Sequence, residues 1–163
     1  MARHRPAPDE VADRISAFVY GNILTLAALV VLRTHEIESG AGLAIVVGTA
    51  LSTFVAHAYA ERLGAEARGT EHRSWKIVLR DSQPILSSAA VPALLMLVGS
   101  LEWASPTLCL RLAEAWIVVR LALTGFLVGR LQGRPVTVAT WISSVGLAAV
   151  ALVIVGLKVV LTH

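Results

Sequence analysis

The expected fold is all-α: a polytopic membrane helix bundle of five transmembrane helices, N-terminus in and C-terminus out. Three observations point to it. Apolar side chains make up 56% of the 163 residues and charged ones only 15%, too hydrophobic a balance for an ordinary soluble domain. Five apolar stretches meet or approach the roughly 20 residues needed to cross a bilayer of about 30 Å. The basic residues, finally, fall almost wholly on alternate connections.

The expected spans are 15–32, 41–60, 84–101, 106–129 and 136–161, forming one integral membrane domain over 1–163. A soluble bundle would need polar helix faces, and the stretch from Val136 to Leu157 contains no charge at all. With the N-terminus in the cytoplasm, the inner segments carry Arg3, Arg5, Arg14, Arg62, Arg68, Arg73, Lys76, Arg80, Arg130 and Arg134. The outer segments carry only Arg33 and Lys158, and Arg111 and Arg120 fall inside the fourth span. Ten against two is the bias of the positive-inside rule. It places the protein in the cell's inner (plasma) membrane as a multi-pass protein, with the lipid bilayer as its first partner.

The first span follows a polar leader containing Pro6 and Pro8 and no cleavage-site pattern, so it is expected to stay as an anchor. The basic connections suit anionic headgroups rather than nucleic acid. Cys109, the single cysteine, has no internal disulfide partner. Zinc-finger spacing, P-loop, dinucleotide glycine motif and nucleophile elbow are absent, and no internal repeat is visible. Between the second and third spans, 61–83 is expected to be a cytoplasmic amphipathic loop. Within it, Trp75, Val78 and Leu79 recur at helical spacing while Arg73, Lys76 and Arg80 share the opposite face, the pattern of a short helix lying in the interface.

Polar residues inside spans are expensive in lipid and mark candidate sites. On the second span Thr49, Thr53, His57 and Glu61 recur every four residues, so they form one stripe. His57 and Glu61 together have the chemistry to hold a divalent cation or to pass a proton between imidazole and carboxylate. Alternatively, His57 bonds a neighbouring helix and Glu61 marks the end of the span. At 1.5 Å per residue, His57 lies roughly 6 Å inside its helix end, and Tyr20 and Asn22 of the first span roughly 8–11 Å in. Thr124, Thr140 and Ser143 reach similar levels, so a polar layer in the inner leaflet is expected.

The fourth span carries Arg111, Glu114 and Arg120. Arg111 and Glu114, three residues apart, can pair on one face. Arg120 points elsewhere and lies near the midplane, about 15 Å from Arg130, so its partner is expected on another helix. Tyr20, Asn22, Thr53, Arg111, Glu114 and Arg120 are therefore the candidates for lining a transport pathway. Gly125 and Gly129 form a small-residue strip suited to close helix approach, including a dimer contact.

With these residues in view, the chain resembles the vacuolar iron transporter family: five spans, a cytoplasmic N-terminus, a charged loop after the second span, and glycine-rich fourth and fifth spans. That family's second helix ends in a Met-x-x-Gly-Glu-like sequence, where this chain has His57-Ala58-Tyr59-Ala60-Glu61. Its first helix carries Gly-x-x-Asp-Gly, matched only in part by Tyr20-Gly21-Asn22, without the aspartate. The resemblance implies proton-coupled export of Fe²⁺ or Mn²⁺ by a homodimer, with His57 and Glu61 as metal ligands and the divalent ion as cargo. A second resemblance competes. The segment from Arg14 to Gly21 is similar to the Arg-x-x-Ala-Phe-Ser-Asp-Gly opening of the endolysosomal and bacterial potassium-channel family, with Val19 and Tyr20 in place of Ser-Asp.

Three function classes remain. The first is a small transporter or channel with a site between the second, first and fourth helices, and the second a non-catalytic membrane subunit or assembly factor of a larger complex. The third, an intramembrane enzyme, is disfavoured because no nucleophile–base spacing or paired carboxylates occur within the spans.

Overall fold

A computed structural model describes residues 8–67 and 74–131, together with Gly146, Ala149, Val153 and Gly156. All regular structure among them is helical: α1 (Pro8–Val31), α2 (Thr34–Glu38), α3 (Ala41–Ala67), α4 (Trp75–Ser100) and α5 (Pro106–Leu131). Three of these, Val11–Val31 of α1, α3 and α4, are long and apolar enough to cross a membrane. The bilayer-facing side of a membrane bundle is apolar rather than charged, and Val31, Leu51, Val55, Leu94 and Leu123 are each at least half exposed.

Helix lengths depart from the span boundaries read in the sequence. The expected amphipathic loop 61–83 is largely helical: α3 continues to Ala67, and Trp75 begins α4. The interfacial turn around Trp75, Val78 and Leu79 is thus the start of a continuous helix rather than a separate element. Hydropathy marks where a helix leaves apolar surroundings, whereas hydrogen bonding ends a helix. Pro84 does not mark the start because α4 tolerates both Pro84 and Pro92 in its interior, as membrane helices do when nearby groups serve the freed carbonyls. The fifth expected span, 136–161, lies outside the described residues apart from its four helical positions.

α1 and α4 form the central pair, and α3 and α5 each pack on both of them. Contacts fix the relative directions. Arg14 meets Asp81 and Thr25 meets Ser88, so α1 and α4 run parallel. Cys109 approaches Gly99 while Arg120 reaches Ser87, so α5 runs antiparallel to α4.

Glycine decides the closest approach. A Cβ on Gly21 would stand 2.7 Å from the backbone Cα of Ile85 and 3.1 Å from the Ser88 hydroxyl. The two central helices therefore touch backbone to backbone at this point, the contact that small residues allow in a membrane.

The end bearing α2 is closed by an apolar plug. Arg33 donates its backbone N–H to the Glu36 carboxylate at 2.6 Å, starting α2, and Gly40 at φ +78° ends it, the left-handed cap a glycine supplies at no steric cost. This short helix drives Ile37, fully buried, towards Gly42 and Gly99. A Cβ on Gly99 would come within 2.8 Å of Ile37 Cγ2. Around it Leu26, Leu29, Leu32, Met96, Cys109, Ile117 and Leu121 complete the core. The opposite half holds the buried polar groups, including Asp81, Ser82, Ser88 and Asn22.

Gly21→Ala is expected to force α1 from α4 and cost about 1–3 kcal/mol, the penalty of overpacking. Gly48, with nothing within 4 Å of a built Cβ, provides the contrast. Gly48→Ala should leave stability unchanged or raise it by up to about 1 kcal/mol through helix propensity. Thermal unfolding of both variants in mild detergent checks the pair.

Candidate functional site

The stripe on the second span lies on the packed side of α3. Thr53 is buried, and His57 and Glu61 are half-buried on successive turns below it. α1 supplies Tyr20, whose ring stacks on the His57 imidazole with centroids 6.1 Å apart and planes 29° from parallel. Thus four of the sequence candidates, Tyr20, Thr53, His57 and Glu61, gather along the α1–α3 seam. His57 and Glu61 are one helical turn apart, close enough for one small ion or proton path. No group of three or more His, Cys, Asp or Glu side chains converges on a common point among the described residues.

The remaining candidates lie elsewhere. Asn22 is only two residues from Tyr20, but that offset turns it to the opposite side of α1. It is fully buried, donates Nδ2–H to the Phe18 carbonyl at 2.6 Å, and among the described residues has no hydrogen-bond partner for Oδ1. Phe18, one turn before Asn22, packs its ring beneath the Arg120 guanidinium of α5 at 4.6 Å. The expected inner layer is consequently split, with one polar set between α1 and α3 and another where α1, α4 and α5 meet. On α5, Arg111 is exposed and Glu114 half-buried.

Arg120 finds its partner on another helix, as its position implies. One Nη donates to the Ser87 carbonyl at 2.8 Å, and the second lies 3.5 Å from the Ser87 hydroxyl. Both partners belong to α4. Ser87 in turn donates its hydroxyl to the Pro84 carbonyl at 2.8 Å.

Sequence reasoning passed over the polar seam between α1 and α4. Arg14 donates Nε–H to Asp81 at 3.0 Å, and the Asp81 side chain is only 6% exposed. Both residues had been counted with cytoplasmic segments, and only the packing shows that they face each other. Higher on the same seam, Ser88 donates to the Ile85 carbonyl at 2.6 Å. Its single hydroxyl hydrogen is then used, so Thr25 donates to Ser88 Oγ at 2.9 Å. Ser82 likewise bonds back to the Val78 carbonyl at 2.9 Å. Such hydroxyls satisfy themselves on their own helix and remain available as acceptors across the interface. The available signal was Asp81 and Ser88, seven residues and so two turns apart on one face of a helix.

Beyond the seam, α3 and α4 are joined near their connected ends. Arg62 lies 4.6 Å above the Trp75 ring and pairs with Glu66 at 3.3 Å.

In comparisons with known proteins, no family model, no curated protein and no solved structure matches this chain. Its functional reading therefore rests on its own residues.

The Arg14–Asp81 contact gives a measurable coupling. Asp81→Leu is expected to cost about 1–3 kcal/mol, below the usual range for breaking a buried pair because Arg14 is partly exposed. The Arg14→Leu, Asp81→Leu double variant should be less destabilised than the sum of the single variants, by about 1–2 kcal/mol. Unfolding midpoints of the four proteins in detergent supply the cycle.

Proposed function

We propose that the protein is a non-catalytic, multi-pass subunit or assembly factor of a larger membrane complex. It would cross the inner membrane five times, with its N-terminus in the cytoplasm. The basic residues support that orientation: ten fall on the segments assigned inside and two on those outside.

One observation carries the subunit reading. The polar groups that link these helices do so as fasteners: Arg14 to Asp81, Thr25 to Ser88, and Arg120 to Ser87. Each joins α4 to α1 or α5. A solute pathway needs polar groups turned towards a shared opening, whereas these are turned towards one another. Between the seams the core is apolar, with Leu26, Leu29 and Met96 fully buried.

A second reading, proton-coupled transport of a divalent metal ion such as Fe²⁺ or Mn²⁺ by a homodimer, is favoured by the α1–α3 seam alone. There, Tyr20 holds the His57 ring one turn from Glu61. In that reading His57 and Glu61 bind the ion, and the imidazole exchanges its proton.

Flux measurements separate the two. Purified protein in proteoliposomes loaded with a divalent-sensitive dye and a pH dye is expected to give Fe²⁺ and Mn²⁺ entry no faster than empty liposomes. Metal entry with opposing proton movement, lost in both His57→Ala and Glu61→Gln, overturns the subunit reading in favour of transport. Native mass spectrometry of the protein extracted in mild detergent is expected to find it bound to another polypeptide. Recovery solely as a monomer or homodimer counts against the subunit reading.

A further inference from the structure

Arg120 carries a full positive charge, and no carboxylate is among its contacts with the described residues. Those contacts are the Ser87 carbonyl at 2.8 Å, the Ser87 hydroxyl at 3.5 Å and the Phe18 ring at 4.6 Å. A guanidinium has five N–H donors and keeps its charge in proteins; among the described residues these contacts use two donors and supply no opposite formal charge.

Depth limits what can compensate it. Ser87 lies about 18 Å along α4 from Trp75 and about 20 Å from Ser100 at 1.5 Å per residue. The guanidinium is turned across to that mid-helix position instead of along α5 towards the headgroups. A lipid phosphate at the interface is therefore badly placed to meet it, whereas a carboxylate on a membrane-embedded helix is at the right level.

The surroundings suit a helix. Ser87, Ala90 and Leu94 are exposed along α4, and Trp116 and Leu123, one turn to either side of Arg120, are exposed along α5. They form an apolar groove with one cation in it and a small residue, Ala90, on one wall.

Among the described residues no carboxylate contacts the guanidinium. The expected span 136–161 contains no Asp or Glu. A second copy lying in the same membrane orientation would bring its Glu114 six residues along α5 from the Arg120 level, an offset of about 9 Å. Asp81 is displaced from Ser87 by the same amount on α4.

We infer that the α4–α5 groove docks a membrane-spanning helix of another protein, which places an Asp or Glu at mid-bilayer depth against Arg120. The inference rests on the subunit reading and specifies its partner. Charge complementarity identifies the occupant: a lone charge inside a membrane is expensive and pairs with an opposite charge at its own depth. The apolar groove walls supply the packing.

The test uses the full chain, labelled with a donor fluorophore in phosphatidylcholine liposomes, and acceptor-labelled synthetic Leu/Ala spanning helices. A helix with one Asp at mid-length is expected to associate at least about tenfold more tightly than the all-apolar helix, equivalent to about 1.4 kcal/mol. Moving the Asp two turns towards either end should remove the preference, as should Arg120→Gln, while Arg120→Lys retains part of it. Equal association of all helices, or a preference that survives Arg120→Gln, overturns the inference. So does loss of the preference when phosphatidylglycerol is added, which would make Arg120 a lipid site. If Arg120→Gln fails to fold, Arg120→Lys and the Asp-position series decide the question. Failure here with another polypeptide bound in the native mass measurement defeats only this inference. A chain recovered without a partner defeats the subunit reading, even where the synthetic helix binds.

Discussion

Because Gly21 has no side chain, the backbones of α1 and α4 come into contact at Ile85, and the rest of the bundle is arranged around that approach. Serine and threonine side chains are too short to meet across helices at ordinary spacing. Thr25 and Ser88, one turn from Gly21, reach 2.9 Å because the helices are already close. Two turns the other way, the same seam sets Arg14 against Asp81. α3 and α5 then pack into the two notches left by this central pair. Lipid tails give helices no hydrophobic reason to associate, so close packing and interhelical hydrogen bonds must do it.

Every polar group taken into lipid has to be served, and α4 shows how. Its two internal prolines lack N–H donors, and four of its serine hydroxyls turn back to carbonyls about one turn earlier: Ser82, Ser87, Ser88 and Ser100. A hydroxyl bonded in this way still offers lone pairs. Thr25 and Arg120 both use them, so α4 receives hydrogen bonds from α1 on one face and from α5 on another. The sulfur-containing and aliphatic residues at the α2 end need no such arrangement. There, the fully buried Ile37 and Met96 seal the bundle by shape alone.

The polar residues consequently form two sets with different characters. Along α1–α3, Tyr20 stacks on His57, with Glu61 one turn further along α3. Where α1, α4 and α5 meet, Arg120 is a permanent charge fixed by a carbonyl, a hydroxyl and a ring. α1 separates the two sets because Tyr20 and Asn22, adjacent in depth, leave the helix on opposite sides.

Much of this was legible in the residues. The all-helical membrane character follows from long apolar runs, and the stripe Thr53–His57–Glu61 follows from spacing on one helix, since 3.6 residues per turn is a local property. So does the expectation that Arg120 needs a partner on another helix. Boundaries were less legible: residues 61–67 and 75–83 are helical although polar, because backbone hydrogen bonding continues where hydropathy stops. Which helices face each other was not legible at all. A membrane helix is apolar towards lipid and towards its neighbours alike, so hydropathy does not distinguish the two sides. The sequence by itself therefore determined the helices, their polar stripes and the alternation of basic segments. Only the tertiary structure decided that Arg14 belongs to Asp81, that Tyr20 belongs to His57, and that Asn22 and Arg120 lie apart from them. The Arg14–Asp81 pairing depends on how closely α1 and α4 approach, a distance set jointly by residues 64 positions apart, Gly21 and Ile85.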